Sequence, residues 1–275
     1  MKKTAVIILN RNLPKETDNL VEHLKKYDDE YADIFVVEAG SDKNNLSKYC
    51  TWHVEVEEVV KHGLRYSRGM NYGLLKLWKE GDWKKYDSFF LITNDTKFPK
   101  NQNTIKTLQK IQEKYSKVGI LSPCSQRWGE KDLIGPDSLK YFWFIHNNAY
   151  FVRKELMEQL INTDDPSYID FLFDGNNCRG YLSESEIIAK AYANDWAAAI
   201  TTKVYAEEDE SYLLDKSKFI KTETYEENLQ LYVDEGLKWV KKKYGFNSRW
   251  QMMQYSQLFY EKFFEYYPEE KINKI

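Results

Sequence analysis

Cysteine is scarce in this 275-residue chain: Cys50, Cys124 and Cys178 are odd in number, far apart and form no Cys-x-x-Cys pair. That argues against a disulfide framework and a cysteine-ligated zinc site, and fits reduced thiols in a cytoplasmic setting. A long basic block is also missing. The net charge of -3 is spread along the chain, so nucleic acid is not an expected partner, and Lys241-Lys242-Lys243 reads as a solvated helix face. No apolar run is long enough for a membrane span or a signal-peptide core, since Met1-Lys2-Lys3 leads straight into a short strand. Internal repeats and low-complexity tracts are absent too. What is abundant is aromatic: 16% of the residues, with Tyr dominant, which fits either a large core or a surface that stacks on sugar rings or bases. With 42% hydrophobic residues the chain can bury one full core and is expected to be a soluble globular protein.

The central stretch is Ser88-Phe89-Phe90-Leu91-Ile92, a run of the kind buried on both faces of a parallel sheet, which stops abruptly at Thr93-Asn94-Asp95-Thr96. Ligands of open α/β sheets bind just past such strand ends, so Asp95 is a candidate for a metal or phosphate site; a turn aspartate bonding its own backbone is the alternative. Around it the chain alternates. Thr4 to Leu9 reads as a strand, Glu16 to Tyr27 as a helix on Leu20, Leu24 and Tyr27, and Asp33 to Val37 as a strand ending at Glu38-Ala39-Gly40-Ser41-Asp42, with a tight turn at Gly40. Val54, Val56 and Val59-Val60 suggest a brief strand. Ser67 to Glu80 follows as a helix closed by Gly81, with Arg65, Arg68 and Asn71 near its start, either surface residues or phosphate contacts.

Ile105 to Tyr115 is the next helix and Val118 to Leu121 the next strand. Residues 122–138 read as a mobile loop around Trp128, and Lys140 to Val152 as an aromatic strand leading into a helix at Lys154. Pro166 to Gly180 reads as loop. Ser183-Glu184-Ser185-Glu186 predicts a capping box, which would occupy Glu186 and leave Glu184 at the first helical position, where the helix dipole favours its ionised form. Ala197 to Tyr205 is the last long strand, Ala206 to Glu210 an acidic turn, and two amphipathic stripes, Leu229 to Val240 and Met252 to Tyr266, predict C-terminal helices packed on the sheet or forming a dimer contact. The order predicts an α/β fold with a doubly wound, mostly parallel sheet over residues 1–205 and a helical extension over 206–275.

Taken together, Val6-Ile7-Ile8-Leu9-Asn10-Arg11-Asn12, Val36-Val37-Glu38-Ala39-Gly40-Ser41-Asp42, Arg68-Gly69-Met70-Asn71-Tyr72-Gly73, Thr93-Asn94-Asp95-Thr96 and Ser183-Glu184-Ser185-Glu186-Ile187 resemble, in order and spacing, the family 2 glycosyltransferases with the GT-A nucleotide-sugar fold. The resemblance covers about residues 4–205. It departs from the family at Thr93, where the first acid of the Asp-x-Asp metal motif usually stands, and near Ala206-Glu207, where no His is found. It implies an inverting transferase that moves a sugar from a nucleoside diphosphate sugar of the UDP or GDP type to an acceptor hydroxyl, on a glycan or lipid-linked acceptor in surface polysaccharide assembly. Asn10, Arg11, Glu38, Ser41, Arg68, Asn71, Asn94 and Asp95 would bind the donor, with Glu38 and Asn10 on base and ribose and Arg68 beside the diphosphate. Asp95 would hold Mn²⁺ or Mg²⁺, Glu184 would be the catalytic base, and Trp128, Trp143 and His146 would face the acceptor. The setting implied is cytoplasmic, with peripheral attachment at the inner membrane face as an extension, and a homodimer through the C-terminal helices is an option. Two other readings stand beside this one. A nucleotidyltransferase would need a Gly-rich Arg/Lys loop after the first strand, where Asn10-Arg11-Asn12-Leu13-Pro14 stands instead; a non-catalytic sugar or nucleotide binder draws on Thr93.

Overall fold

A computed structural model describes residues 2–127, 129–145, 149–209 and 223–275. The expected α/β sheet is present. Strands β1 (Thr4–Asn10), β2 (Ala32–Glu38), β3 (Cys50–His53), β4 (Ser88–Thr93), β6 (Val118–Cys124), β7 (Leu139–Tyr141), β8 (Ala149–Arg153) and β9 (Ala197–Tyr205) form one sheet in the order β3-β2-β1-β4-β8-β6-β9-β7. Pairing is parallel from β3 through β4 and between β6 and β9; β8 runs antiparallel to β4 and β6, and β7 antiparallel to β9. The continuous apolar runs of β1 and β4 lie at the sheet's centre, where Ala5 to Ile8 and Phe89 to Ile92 are fully buried. Register then sets the site: Asn10 lies opposite Glu38 and Leu9 opposite Thr93, so three polar segments emerge at one level past the strand ends.

Helices α1 (Pro14–Asp28) and α4 (Thr104–Lys114) contact each other, and α3 (Arg65–Lys79) packs on β1 and β2. Gly40 ends β2 with φ +87, and a Cβ there would stand 2.1 Å from the Val59 carbonyl oxygen, so the tight turn requires glycine. The brief strand expected at Val54 to Val60 is displaced: β3 ends at His53, and Glu57–His62 forms a short helix, α2, that buries Val59 and exposes Val56 and Val60. The loop expected over 122–138 is partly regular. β6 continues to Cys124 because it pairs with β9, and Glu130–Ile134 is a helical turn, α5. The aromatic segment holds two strands, β7 and β8, before α6 (Lys154–Leu160). The acidic turn is a two-residue strand, β10 (Glu207–Glu208), pairing with β5 (Thr96–Lys97).

Helix α7 (Ser183–Ala193) starts without the predicted capping box. Its N-cap is Leu182 at φ +66, Ser183 Oγ donates to the Gly180 carbonyl, and the Glu186 carboxylate instead accepts from Tyr244 Oη at 2.5 Å and pairs with Lys243 at 2.8 Å. A capping box does form further on, where Thr224 and Glu227 open helix α8 (Tyr225–Tyr244). Lys243 also reaches Asp174 at 2.8 Å, so α8 is fastened to α7 and to the loop before it. Helix α9 (Arg249–Tyr266) buries Tyr260, Phe263 and Phe264 in the same core as Tyr141 and Tyr192. No helix among the described residues is long and apolar enough to cross a membrane. The three cysteines are free, and burial raises each thiol's pKa, which leaves none activated as a nucleophile.

Candidate functional site

The loops after β1, β2 and β4 are built around Glu38. Its carboxylate is 0% exposed and accepts from Asn10 Nδ2 at 3.0 and 2.8 Å, from Ser41 Oγ at 2.5 Å and from the Ser47 amide at 2.8 Å. Four hydrogen bonds from three donor groups on two buried oxygens make Glu38 the internal brace of the strand ends, with no side-chain surface left for a nucleoside base. Asn10 extends the brace: its Oδ1 accepts from Leu13 N at 3.2 Å and from Asn94 Nδ2 at 2.9 Å, linking the β1 and β4 loops. Ser41 Oγ also accepts from the Asn12 amide at 3.0 Å. The structure thus brings Asn10, Glu38, Ser41 and Asn94 into one network, in which Glu38, Asn10 and Ser41 are buried.

Asp95 follows Asn94 at the rim and is half-buried. It lines two adjoining clefts. One, of about 200 Å³, is bounded by Leu9, Arg11, Gly63, Arg65 and Thr93; the other, of about 450 Å³, by Lys15, Glu16, His23, Lys97, Phe98 and Asp209. The Asp95 carbonyl accepts from the Asp209 amide at 3.0 Å, which ties the β4 turn to β10. Thr93, in place of an acid, shares a hydrogen bond of 3.2 Å with Thr96.

Arg11 lines the smaller cleft together with Asp95. Its Nη2 donates to the Val60 carbonyl at 2.7 Å, while burial, then Arg65, push its pKa down to about 10 against the pull of Glu223 and Asp42. Arg65 lines the same cleft, whereas Arg68, the residue the family resemblance points to, does not. The two diverge because Arg65 sits at φ +61 at the very start of α3, turned out to the cleft, whereas Arg68 Nε is bound to the Gly175 carbonyl at 2.8 Å. Asn71 is further from any donor role. Fully buried, it donates to the carbonyls of Tyr168 and Phe173 and accepts from the amides of Leu172 and Phe173, and so staples the 168–175 loop to α3.

Glu184, in the first turn of α7, is 6% exposed, and its Oε2 has no hydrogen-bond partner among the described residues. Burial pushes its carboxyl up to about 7, against backbone amides at the helix start and Arg249. Desolvation therefore outweighs the helix dipole expected to keep it ionised, and the group sits midway between acid and base near neutrality. Tyr66, Tyr150 and Tyr232 lie within its electrostatic reach, and Tyr232 also senses Glu208, which pairs with Thr96 beside Asp95. Trp143 packs edge-on against Tyr260 of α9, ring centroids 5.2 Å apart, and its carbonyl accepts from Ser256 Oγ. Trp128 and His146 lie outside the described residues.

Neither a protein-family model nor a curated protein sequence matches this chain. Solved structures do match it in shape. GalNAc-T7 with UDP, GalNAc and Mn²⁺ superposes with a TM-score of 0.58 at 10% identity, over 96% of this chain and 56% of that one. TarS from S. aureus gives 0.55 at 14% identity, over 86% and 40%. The mannosyltransferase PcManGT from Pyrobaculum calidifontis, in complex with GDP-Man and Mn²⁺, gives 0.50 at 12% identity, over 72% and 54%. This chain spans about half the length of those structures. At such identities the likeness shows the fold alone, the GT-A type of the nucleotide-sugar glycosyltransferases.

Proposed function

We propose that this chain is a metal-assisted, inverting glycosyltransferase that moves a sugar from a UDP- or GDP-type donor to an acceptor hydroxyl of a glycan or lipid-linked acceptor. The observation that carries the reading is the meeting of Asp95 with Arg11 and Arg65 around one cleft at the carboxyl end of β4. Among the described residues no group of three or more His, Cys, Asp or Glu could hold a metal ion. A hard cation such as Mn²⁺ or Mg²⁺ suits Asp95 only as a shared ion, with the diphosphate and water supplying the other oxygens. Bound there, it would offset charge on the leaving diphosphate.

The chain's own residues divide the rest of the work. Arg11 and Arg65 meet the diphosphate charge, and the Glu38-Asn10-Ser41 network fixes the loops that shape the cleft. Glu184 Oε2 takes the proton of the acceptor hydroxyl as its oxygen attacks the anomeric carbon opposite the leaving diphosphate, which departs with the electron pair of the broken bond. A carboxyl near 7 is matched to that task at neutral pH, and general-base help of this kind contributes ~10²–10⁴-fold in rate. Exposed Trp250, Leu258 and Tyr266 on α9 are the surface a homodimer would use. Thr93 favours a second reading, a nucleotide-sugar binder without turnover. Thermal unfolding with UDP and with GDP, with and without Mn²⁺, tests donor binding. Stabilisation by one of them, strengthened by Mn²⁺ and lost in Asp95→Asn, is expected; no stabilisation by either would end the proposal.

A further inference from the structure

Arg65, which lines the cleft beside Asp95, is bound to an anion of the protein itself. Glu223 holds Arg65 through two hydrogen bonds, 2.7 and 3.0 Å, and also pairs with Arg179, which in turn pairs with Glu235. These groups are largely withdrawn from water: side-chain exposure is 15% for Arg65, 10% for Arg179 and 18% for Glu223. Arg11, across the cleft, has two buried donors, Nε and Nη1, with no acceptor among the described residues. Its position is enforced. Gly63, at φ +73, lies so close that a Cβ there would stand 2.3 Å from Arg11 Nη1. Arg65 is likewise held at φ +61, a costly conformation for a side-chain-bearing residue, which persists only where the surroundings impose it.

We infer that Arg11 and Arg65 form a diphosphate site whose resident counter-ion is Glu223, and that a bound diphosphate takes the place of the Glu223 carboxylate on Arg65. The inference rests on the donor-site reading above. A guanidinium fork binds a carboxylate and a phosphate through the same pair of N–H groups, so the two anions compete for Arg65. The unpaired donors of Arg11 give the incoming ligand what Glu223 does not use, which selects a ligand with two anionic groups over one. Glu223 is the anion that Arg65 and Arg179 share, and Asp42 and Asp95 stand near Arg11 and the cleft, so releasing Glu223 frees the guanidinium charge of Arg65 for a ligand.

The test compares wild type, Glu223→Gln and Arg11→Gln by calorimetric titration with inorganic pyrophosphate, UDP and GDP. Glu223→Gln is expected to lower thermal stability without ligand, because Arg65 and Arg179 lose a shared carboxylate, yet to bind pyrophosphate about tenfold more tightly. Arg11→Gln is expected to weaken pyrophosphate binding by a similar factor. Lower stability with unchanged or weaker pyrophosphate binding would make Glu223 only a strut to α8 and overturn the inference. Should Glu223→Gln not fold, Glu223→Asp, which keeps the charge but shortens the reach, is expected to give a smaller tightening, and none would count against the counter-ion. Tightened pyrophosphate binding with no response to UDP or GDP would uphold the anion site while refuting the nucleotide donor. Equal nucleotide binding by wild type and Glu223→Gln would do the reverse.

Discussion

Replacing Glu184 with Gln separates burial from catalysis at one position. In the unfolded chain this carboxyl titrates near 4.5; in the folded protein burial lifts it to about 7. Between those values the folded state keeps a proton that the unfolded state has released, so stability falls as pH rises through the window and stays reduced above it. A displacement of that size corresponds to about 3 kcal/mol at most. Gln has the shape of the neutral acid and never ionises. Glu184→Gln is therefore expected to match wild type near pH 4 and to become the more stable protein by pH 8, by up to about 3 kcal/mol, or on the order of 5–10 °C in Tm. Thermal unfolding of both proteins from pH 4 to 8.5 measures the difference directly, and other titrating groups cancel in it. Turnover should move the opposite way, falling by ~10²–10⁴-fold for loss of a general base. A stability difference flat with pH, or one favouring wild type at pH 8, would refute the claim that this carboxyl ionises inside the protein. Unchanged turnover would remove it as the base.

Two further substitutions test the assignment of buried polar groups to architecture. Asn71→Ala leaves the carbonyls and amides of residues 168–173 without their shared partner; a loss of about 2–4 kcal/mol in urea unfolding is expected, with nucleotide affinity unchanged. A direct donor contact would instead lower affinity in the folded variant. Glu38→Gln sets an amide NH₂ against the donors of Asn10, Ser41 and Ser47, and is expected to cost about 1–3 kcal/mol and to raise amide exchange in the β1 and β4 loops. An unaltered exchange pattern would contradict the role of Glu38 as brace.

The long strands were legible because each is a continuous apolar run bounded by polar residues, and β1, β2, β4, β6 and β9 all stand where the pattern predicts. Short β3 and β7 carry too few residues for a pattern and depend on their neighbours in the sheet. The site divides along the same line. Asn10, Arg11, Asn94 and Asp95 follow directly from strand ends, and parallel register brings them together. Asn71 and Arg68 lie at helical spacing from Arg65, but their partners, at Tyr168 to Gly175, are about 100 residues away in sequence, beyond any local signal. The Ser183 to Glu186 pattern fails for a related reason. Leu182 takes a left-handed conformation that redirects the helix start, and Lys243 and Tyr244 claim the carboxylate from 57 and 58 residues away, whereas at Thr224 and Glu227 both reciprocal capping bonds form. For Glu184 the helix start was visible in the sequence, while the burial that reverses its charge preference arises from tertiary packing around α7, which contacts α9, β9 and β6.

The most direct measurement is a crystal structure of the protein grown with Mn²⁺ and, in turn, UDP and GDP. The account predicts a nucleoside diphosphate with its phosphates between Asp95, Arg11 and Arg65, a cation at Asp95, and Glu223 displaced from Arg65. A saturated nucleotide bound elsewhere, or none at that cleft while Glu223 keeps its place, would contradict it.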